Sequence, residues 1–205
     1  MNGDSVLLVM DVQNDFLPGG RLAVPRGDEV VPVINRIAAR FANVILTQDW
    51  HPPGHVSFAS AHAGRKPFET IVLPYGRQVL WPDHCLQASP GAGFAAGLSV
   101  PHAQAVIRKG YHAHADSYSA LLEADRVTPT GLKAMLRERG LRHVYCCGLA
   151  TDFCVAFSAV DAAIAGFDTV VIDDACRAID SGGSLAAARR DMANAGVRIV
   201  TSADL

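Results

Sequence analysis

The sequence predicts an α/β protein, a three-layer α/β/α sandwich around a central, mainly parallel six-stranded sheet. Short apolar runs at 5–12, 43–48, 105–110, 143–147, 168–172 and 197–200 lack the alternation of a half-buried strand and suit strands covered on both faces. The stretches between most of them carry helical spacing, and strand–helix alternation of this kind produces a parallel sheet with helices on both sides. With 205 residues, 50% of them hydrophobic and 19% charged, the chain has material for one sizeable core, so a single domain over 1–205 is expected.

The first run ends at Asp11. In open α/β sheets ligands bind outside the carboxyl ends of the strands, which makes Asp11 a catalytic candidate by position and equally a carboxylate that caps the next loop. Residues 13–20 form a turn-rich loop. A helix is expected from Asp28, with Val31, Ile34, Ile37, Ala38 and Phe41 on its apolar side. The second strand, 43–48, runs into Asp49-Trp50-His51-Pro52-Pro53-Gly54-His55. Alternate residues of an extended segment point the same way, and the prolines forbid a helix, so Asp49 and His51 can share a partner. A carboxylate with imidazoles suits zinc or ferrous iron, although a surface hydrogen bond also explains an isolated Asp-x-His pair.

From there to Pro101 the sequence reads as a long loop, inside which the bulky Trp81-Pro82-Asp83-His84-Cys85 argues for an ordered segment covering a site. The strand 105–110 delivers Lys109 to the same crevice end. Thr128 and Pro129 look like the cap and first position of a helix that stops at Gly140. After the strand 143–147, Gly148-Leu149-Ala150-Thr151-Asp152-Phe153-Cys154 reads as a tight turn into a helix with Thr151 as N-cap and Cys154 as third helical residue. Unpaired N–H groups there favour a thiolate and could also hold an oxyanion. A lone cysteine is more often inert core. Phe153, Phe157, Val160 and Ile164 make an apolar stripe assigned to the core, ended by Gly166; a strand at 168–172, a helix at 184–194 and a strand at 197–200 close the chain.

Composition excludes several classes of function. A net charge of -2 leaves no basic patch for nucleic acid. The apolar stretch 5–10 is too short to cross a bilayer and follows Asp4 rather than positive charge, so a cytoplasmic protein without membrane contact is expected. Five cysteines, an odd number without paired spacing, are expected to be reduced. A small-molecule ligand remains, and a homo-oligomer stays open.

Asp11-Val12-Gln13-Asn14-Asp15-Phe16, Lys109-Gly110 and Gly148-Leu149-Ala150-Thr151-Asp152-Phe153-Cys154-Val155 resemble, in order and spacing, the three catalytic blocks of the isochorismatase-like cysteine hydrolases. Thr47-Gln48-Asp49-Trp50-His51-Pro52 and Trp81-Pro82-Asp83-His84-Cys85 resemble the metal-site blocks of the nicotinamidase group within that family, whose members also hydrolyse pyrazinamide. The resemblance covers nearly the whole chain. It implies an isochorismatase-like hydrolase fold, conversion of nicotinamide and water to nicotinate and ammonia in NAD salvage, and a catalytic triad of Asp11, Lys109 and Cys154. It also implies an oxyanion hole at Ala150 and Cys154 with a cis Leu149–Ala150 peptide, and Phe16, Leu22, Trp81 and Tyr118 around the substrate. One divalent ion, zinc or iron with manganese as a further option, is expected on Asp49, His51 and His84, with His55 left outside the ligand set. In this scheme Lys109 lowers the pKa of both Asp11 and Cys154. Two other readings stay open: an amidase of the same family acting on an N-carbamoyl or ureido compound, and a non-enzymatic zinc or redox protein using Cys146, Cys147 and Cys154.

Overall fold

The computed structural model describes residues 1–205. The main sheet has six strands, β1 (Ser5–Met10), β2 (Asn43–Asp49), β5 (Ala105–Lys109), β6 (His143–Leu149), β7 (Asp168–Arg177) and β8 (Arg198–Val200). They lie in the order β5-β2-β1-β6-β7-β8, and every pairing is parallel. Every residue of β1 is buried, as the continuous apolar run requires of a central strand covered on both faces. The helices are α1 (Val30–Ala38), α2 (Leu132–Glu138), α3 (Ala156–Ile164) and α4 (Ser184–Asn194). The chain steps outward from β1 to β2 and then restarts on the other side at β6, so right-handed crossovers put α1 on one face and α3 and α4 on the other.

Reversal of strand order beside β1 opens a crevice at the carboxyl ends of β1 and β6. Parallel register does the rest. Asp49 and Lys109 are direct partners at the ends of β2 and β5, Met10 pairs with Gly148, and Asp11 and Ala150 lie one residue past their strands.

Several local expectations need correction. Gly27–Glu29 forms a 3-10 turn, so α1 starts at Val30 rather than Asp28. Its inward face is Val30, Ile34, Ile37 and Ala38, whose larger members each contribute about 1.5–3 kcal/mol by burial. Thr128 and Pro129 do not open α2: the Thr128 hydroxyl donates to Asp125 at 2.6 Å and Pro129 bridges to Leu122, so the helix waits until Gly131 turns the chain with φ at 94°. The supposed loop between β2 and β5 contains an antiparallel hairpin, β3 (Thr70–Leu73) and β4 (Gly76–Val79).

Thr151 is not an N-cap. Ala150 takes the cap position, and Thr151–Val155 winds as a wide turn in which the Val155 N–H donates to the Ala150 carbonyl at 3.1 Å, five residues back. Only half of the expected stripe faces the core: Phe153 and Val160 pack against it, whereas Phe157 is 43% and Ile164 71% exposed, and all four line a groove of about 720 Å³ between α3 and α4. The sheet is met instead by Val155, Ala159 and Ala162, all fully buried. Small side chains let the helix approach closely, and bulk alone was a poor guide to its inward face.

Gly110 shows how tightly the strand ends meet. Its φ is +66°, and a Cβ there would lie 2.4 Å from the His51 ring. Gly131 has φ +94° with open space around it. Replacing Gly131 by Ala is therefore expected to cost about 1 kcal/mol of backbone strain, whereas Gly110→Ala should cost about 2–4 kcal/mol because a buried ring must also move. Thermal denaturation of both variants checks this, and equal losses would contradict the close approach.

Candidate active site

Lys109 ends β5 with a fully buried side chain. An ammonium there must find partners for three protons. Its Nζ donates to Asp49 Oδ1, to the Ser117 carbonyl at 2.9 Å and to Cys154 Sγ at 3.3 Å. Asp11 Oδ2 lies 2.9 Å away, close enough for ion pairing, yet with the three protons committed elsewhere it has no aligned hydrogen-bond donor. The other Asp11 oxygen accepts the Thr47 hydroxyl at 2.5 Å, and Thr47 Oγ1 in turn accepts the Asp11 N–H at 3.1 Å. That reciprocal pair holds Asp11 in the left-handed conformation (φ 46°) in which the chain leaves β1.

Asp11, Lys109 and Cys154 are thus brought together, with Asp11, Asp49 and Cys154 ligand atoms all within 4.8 Å of one another. Lys109 lowers both neighbours as expected, but burial outweighs it in each. Burial pushes the Cys154 thiol well above its usual range and outweighs Lys109, while the Asp11 and Asp49 charges push it further. Burial likewise raises Asp11, with the Asp49 charge adding to it against Lys109. Asp49 goes the other way: burial opposes its charge, but the neighbouring Lys109 ammonium holds it well below the carboxylate range. The site therefore gathers two carboxylates, one ammonium and the Cys154 sulfur, with one Asp11 oxygen left without an aligned donor. That oxygen is where the thiol proton can go.

The second oxygen of Asp49 faces His51 Nε2 at 3.6 Å and His84 Nε2 at 3.7 Å. His51 Nδ1 lies 2.9 Å from the Gly110 carbonyl and His84 Nδ1 2.8 Å from the Pro82 carbonyl. A carbonyl only accepts, so both Nδ1 atoms carry hydrogen and both Nε2 lone pairs point at the Asp49 oxygen. Backbone carbonyls orient metal-binding imidazoles in this way, and the separations fit ligands that each lie about 2.0–2.2 Å from one ion. The donor set fits a divalent cation. His55 groups with His51 and Asp116 instead; its Nε2 is 3.0 Å and 3.1 Å from the His112 and Ala115 carbonyls, its Nδ1 is 2.7 Å from Ser57 Oγ, and burial lowers its pKa to about 4. His112 pairs with Glu123 at 2.7 Å, away from the cluster.

Phe16, Leu22, Trp81, Tyr118, Ala150 and Cys154 line one small cavity with Asp49, His51 and His84. All the residues expected around a substrate are therefore in one place, and the Leu149–Ala150 peptide is cis. Sequence reasoning missed Asp116, Phe153 and Ile179 in the same wall. It also missed the supports. Gln13 clamps Asp49 by accepting its N–H at 2.8 Å and donating to its carbonyl at 2.9 Å. Asp15 accepts the Cys85 N–H at 2.7 Å, next to His84. Asp152 accepts from the N–H groups of Ile179 and Asp180 at 3.0 Å and 2.8 Å, tying the wide turn to the loop after β7. Gln13, Asp15 and Asp152 all sit inside the motif blocks, which is the signal that could have found them.

The Isochorismatase domain family matches residues 5–204. A nicotinamidase of Acinetobacter baylyi is 53% identical over 199 residues, covering 97% of this chain and 93% of that protein. Among solved structures, an Acinetobacter baumanii nicotinamidase pyrazinamidase superposes with a TM-score of 0.99 at 55% identity, covering 100% of this chain and 99% of that one. The pyrazinamidase of Pyrococcus horikoshii in complex with zinc superposes with a TM-score of 0.79 at 33% identity over 97% of this chain and 99% of its own. A match over essentially the full length, on a sheet whose strand ends converge as described, establishes that the chain belongs to the isochorismatase family.

Proposed function

We propose that the protein, acting as one domain over 1–205, is an amidase that hydrolyses nicotinamide to nicotinate and ammonia through a thioester on Cys154, a step in recycling NAD, and that it accepts pyrazinamide in the same way. The observation that carries this reading is the Cys154 sulfur in a cavity walled by Phe16, Trp81, Tyr118 and Phe153, with the donor-free Asp11 oxygen and the Lys109 ammonium behind it. The 53% identical nicotinamidase supports the choice of substrate. No helix is long and apolar enough to cross a membrane, and five free cysteines suit the reducing conditions of the cytoplasm, where we place the reaction.

The residues account for each chemical demand of amide hydrolysis. Asp11 takes the thiol proton of Cys154, and the thiolate attacks the carboxamide carbon while Lys109 balances the negative charge. N–H groups of Ala150 and Cys154 hold the oxyanion. Asp11 returns the proton to the leaving nitrogen, ammonia departs, and a thioester remains. Water, deprotonated by Asp11, cleaves the thioester; nicotinate leaves and Cys154 regains its proton. Asp49, His51 and His84 would hold one divalent ion, zinc or iron with manganese as a further option, and the zinc in the Pyrococcus horikoshii pyrazinamidase supports this. When bound, such an ion supplies a Lewis-acid anchor for the ring nitrogen of the substrate. Phe16 packs against His84 with ring centroids 5.4 Å apart, so the aromatic wall and the ion ligands form one surface. A ring fixed there presents its carboxamide to Cys154, the kind of orientation that lowers barriers by several kcal/mol.

Purified protein should release ammonia from nicotinamide, and Cys154→Ala should reduce kcat by at least about 10³-fold with an unchanged unfolding temperature. Turnover surviving in that variant would refute covalent catalysis. Prolonged chelation should lower activity, zinc, iron or manganese should restore it, and His84→Ala should bind less metal by elemental analysis. Metal-free protein with unchanged kinetics would remove the ion from the scheme.

A further inference from the structure

The β3–β4 hairpin lies outside the main sheet, and its strands are largely exposed or half-exposed except at Gln78, which is 1% exposed. A buried glutamine must satisfy both ends of its amide. Its Oε1 accepts the Tyr75 hydroxyl at 3.0 Å. Its Nε2 donates to Asp116 Oδ2 and to the Val79 carbonyl, both at 2.7 Å, and contacts the Tyr118 hydroxyl at 3.1 Å. Trp81 Nε1 donates to that same hydroxyl at 2.9 Å. Asp116, Tyr118 and Trp81 are three walls of the catalytic cavity. A single side chain from the hairpin therefore reaches two of them directly and the third through Tyr118.

Tyr118 meets Trp81 edge-on with ring centroids 6.2 Å apart. Its ring packs on Phe153 at 5.3 Å and on Phe157 at 5.1 Å, and Phe157 is itself 43% exposed on the groove beside α3. The polar contacts at its hydroxyl are the rigid end. None of the hydrogen bonds of Gln78 reaches Asp11, Lys109, Cys154 or the three ion ligands.

We infer that Gln78 is a positioning residue for the substrate ring: it sets the Trp81–Tyr118 corner from outside the cavity and so governs substrate binding more than the chemical step. This rests on the amidase reading of the same cavity. Without Gln78 the buried Asp116 oxygen loses its donor and the Tyr118 hydroxyl keeps only Trp81, whereas the groups that form and cleave the thioester keep all their partners.

Gln78→Leu keeps the volume and removes the amide, and Tyr75→Phe removes the hydroxyl that orients it from the rim. With nicotinamide as probe, Gln78→Leu should raise KM about tenfold with kcat within about threefold of wild type, and Tyr75→Phe should raise KM about twofold. Zinc content should be unchanged in both. Unchanged KM in a folded Gln78→Leu protein, or in Tyr75→Phe if the first variant does not fold, would overturn the inference, as would equal losses in kcat and kcat/KM. Wild-type protein that releases no ammonia from nicotinamide would instead sink the amidase reading and this inference with it.

Discussion

A buried ammonium organises this site. Lys109 is fully enclosed, and a lone charge in that position would be untenable; it is held by Asp11, Asp49, the Ser117 carbonyl and the Cys154 sulfur together. The dependence runs both ways. Asp49 can remain ionised in the interior because Lys109 is beside it, and once ionised it turns its second oxygen to His51 and His84. One carboxylate thus joins the nucleophile's surroundings to the ion ligands, so the two halves of the cavity form a single electrostatic unit.

The same crowding determines where the proton sits. Three groups that can become anions surround one cation, and burial raises two of them, Asp11 and Cys154. The acceptor within reach of the thiol proton is the one buried oxygen that Lys109 approaches without giving it a hydrogen. The supports follow the same logic of leaving nothing free to drift: Thr47 grips Asp11, Gln13 grips the backbone of Asp49, and backbone carbonyls fix the tautomers of both imidazoles.

The sheet was legible in the sequence, and Asp11, Asp49 and Lys109 with it, because these three stand at strand ends, where short apolar runs and simple alternation are informative. Asp11, Asp49 and Lys109 could be placed at one crevice without coordinates for that reason. What escaped depends on contacts between distant segments. Gln78 sits in a stretch without periodicity, and its burial follows from Tyr75, Asp116 and Tyr118 rather than from its neighbours. The α3 stripe failed at Phe157 and Ile164 because Ala159 and Ala162 outcompete them for the sheet, a preference for close approach that hydrophobicity does not register. Thr151 failed as a cap because the wide turn starts at Ala150. That burial outweighs the lowering of Cys154 by Lys109 was missed, since burial is invisible in a sequence.

The most direct test is Lys109→Met, with stability and ammonia release from nicotinamide measured on the same preparation. A buried cation that organises its neighbours predicts a loss of about 3–5 kcal/mol in unfolding free energy together with loss of activity, because Asp11 and Asp49 are left facing each other without a counter-charge. A variant that unfolds at the wild-type temperature and keeps its kcat would contradict the account.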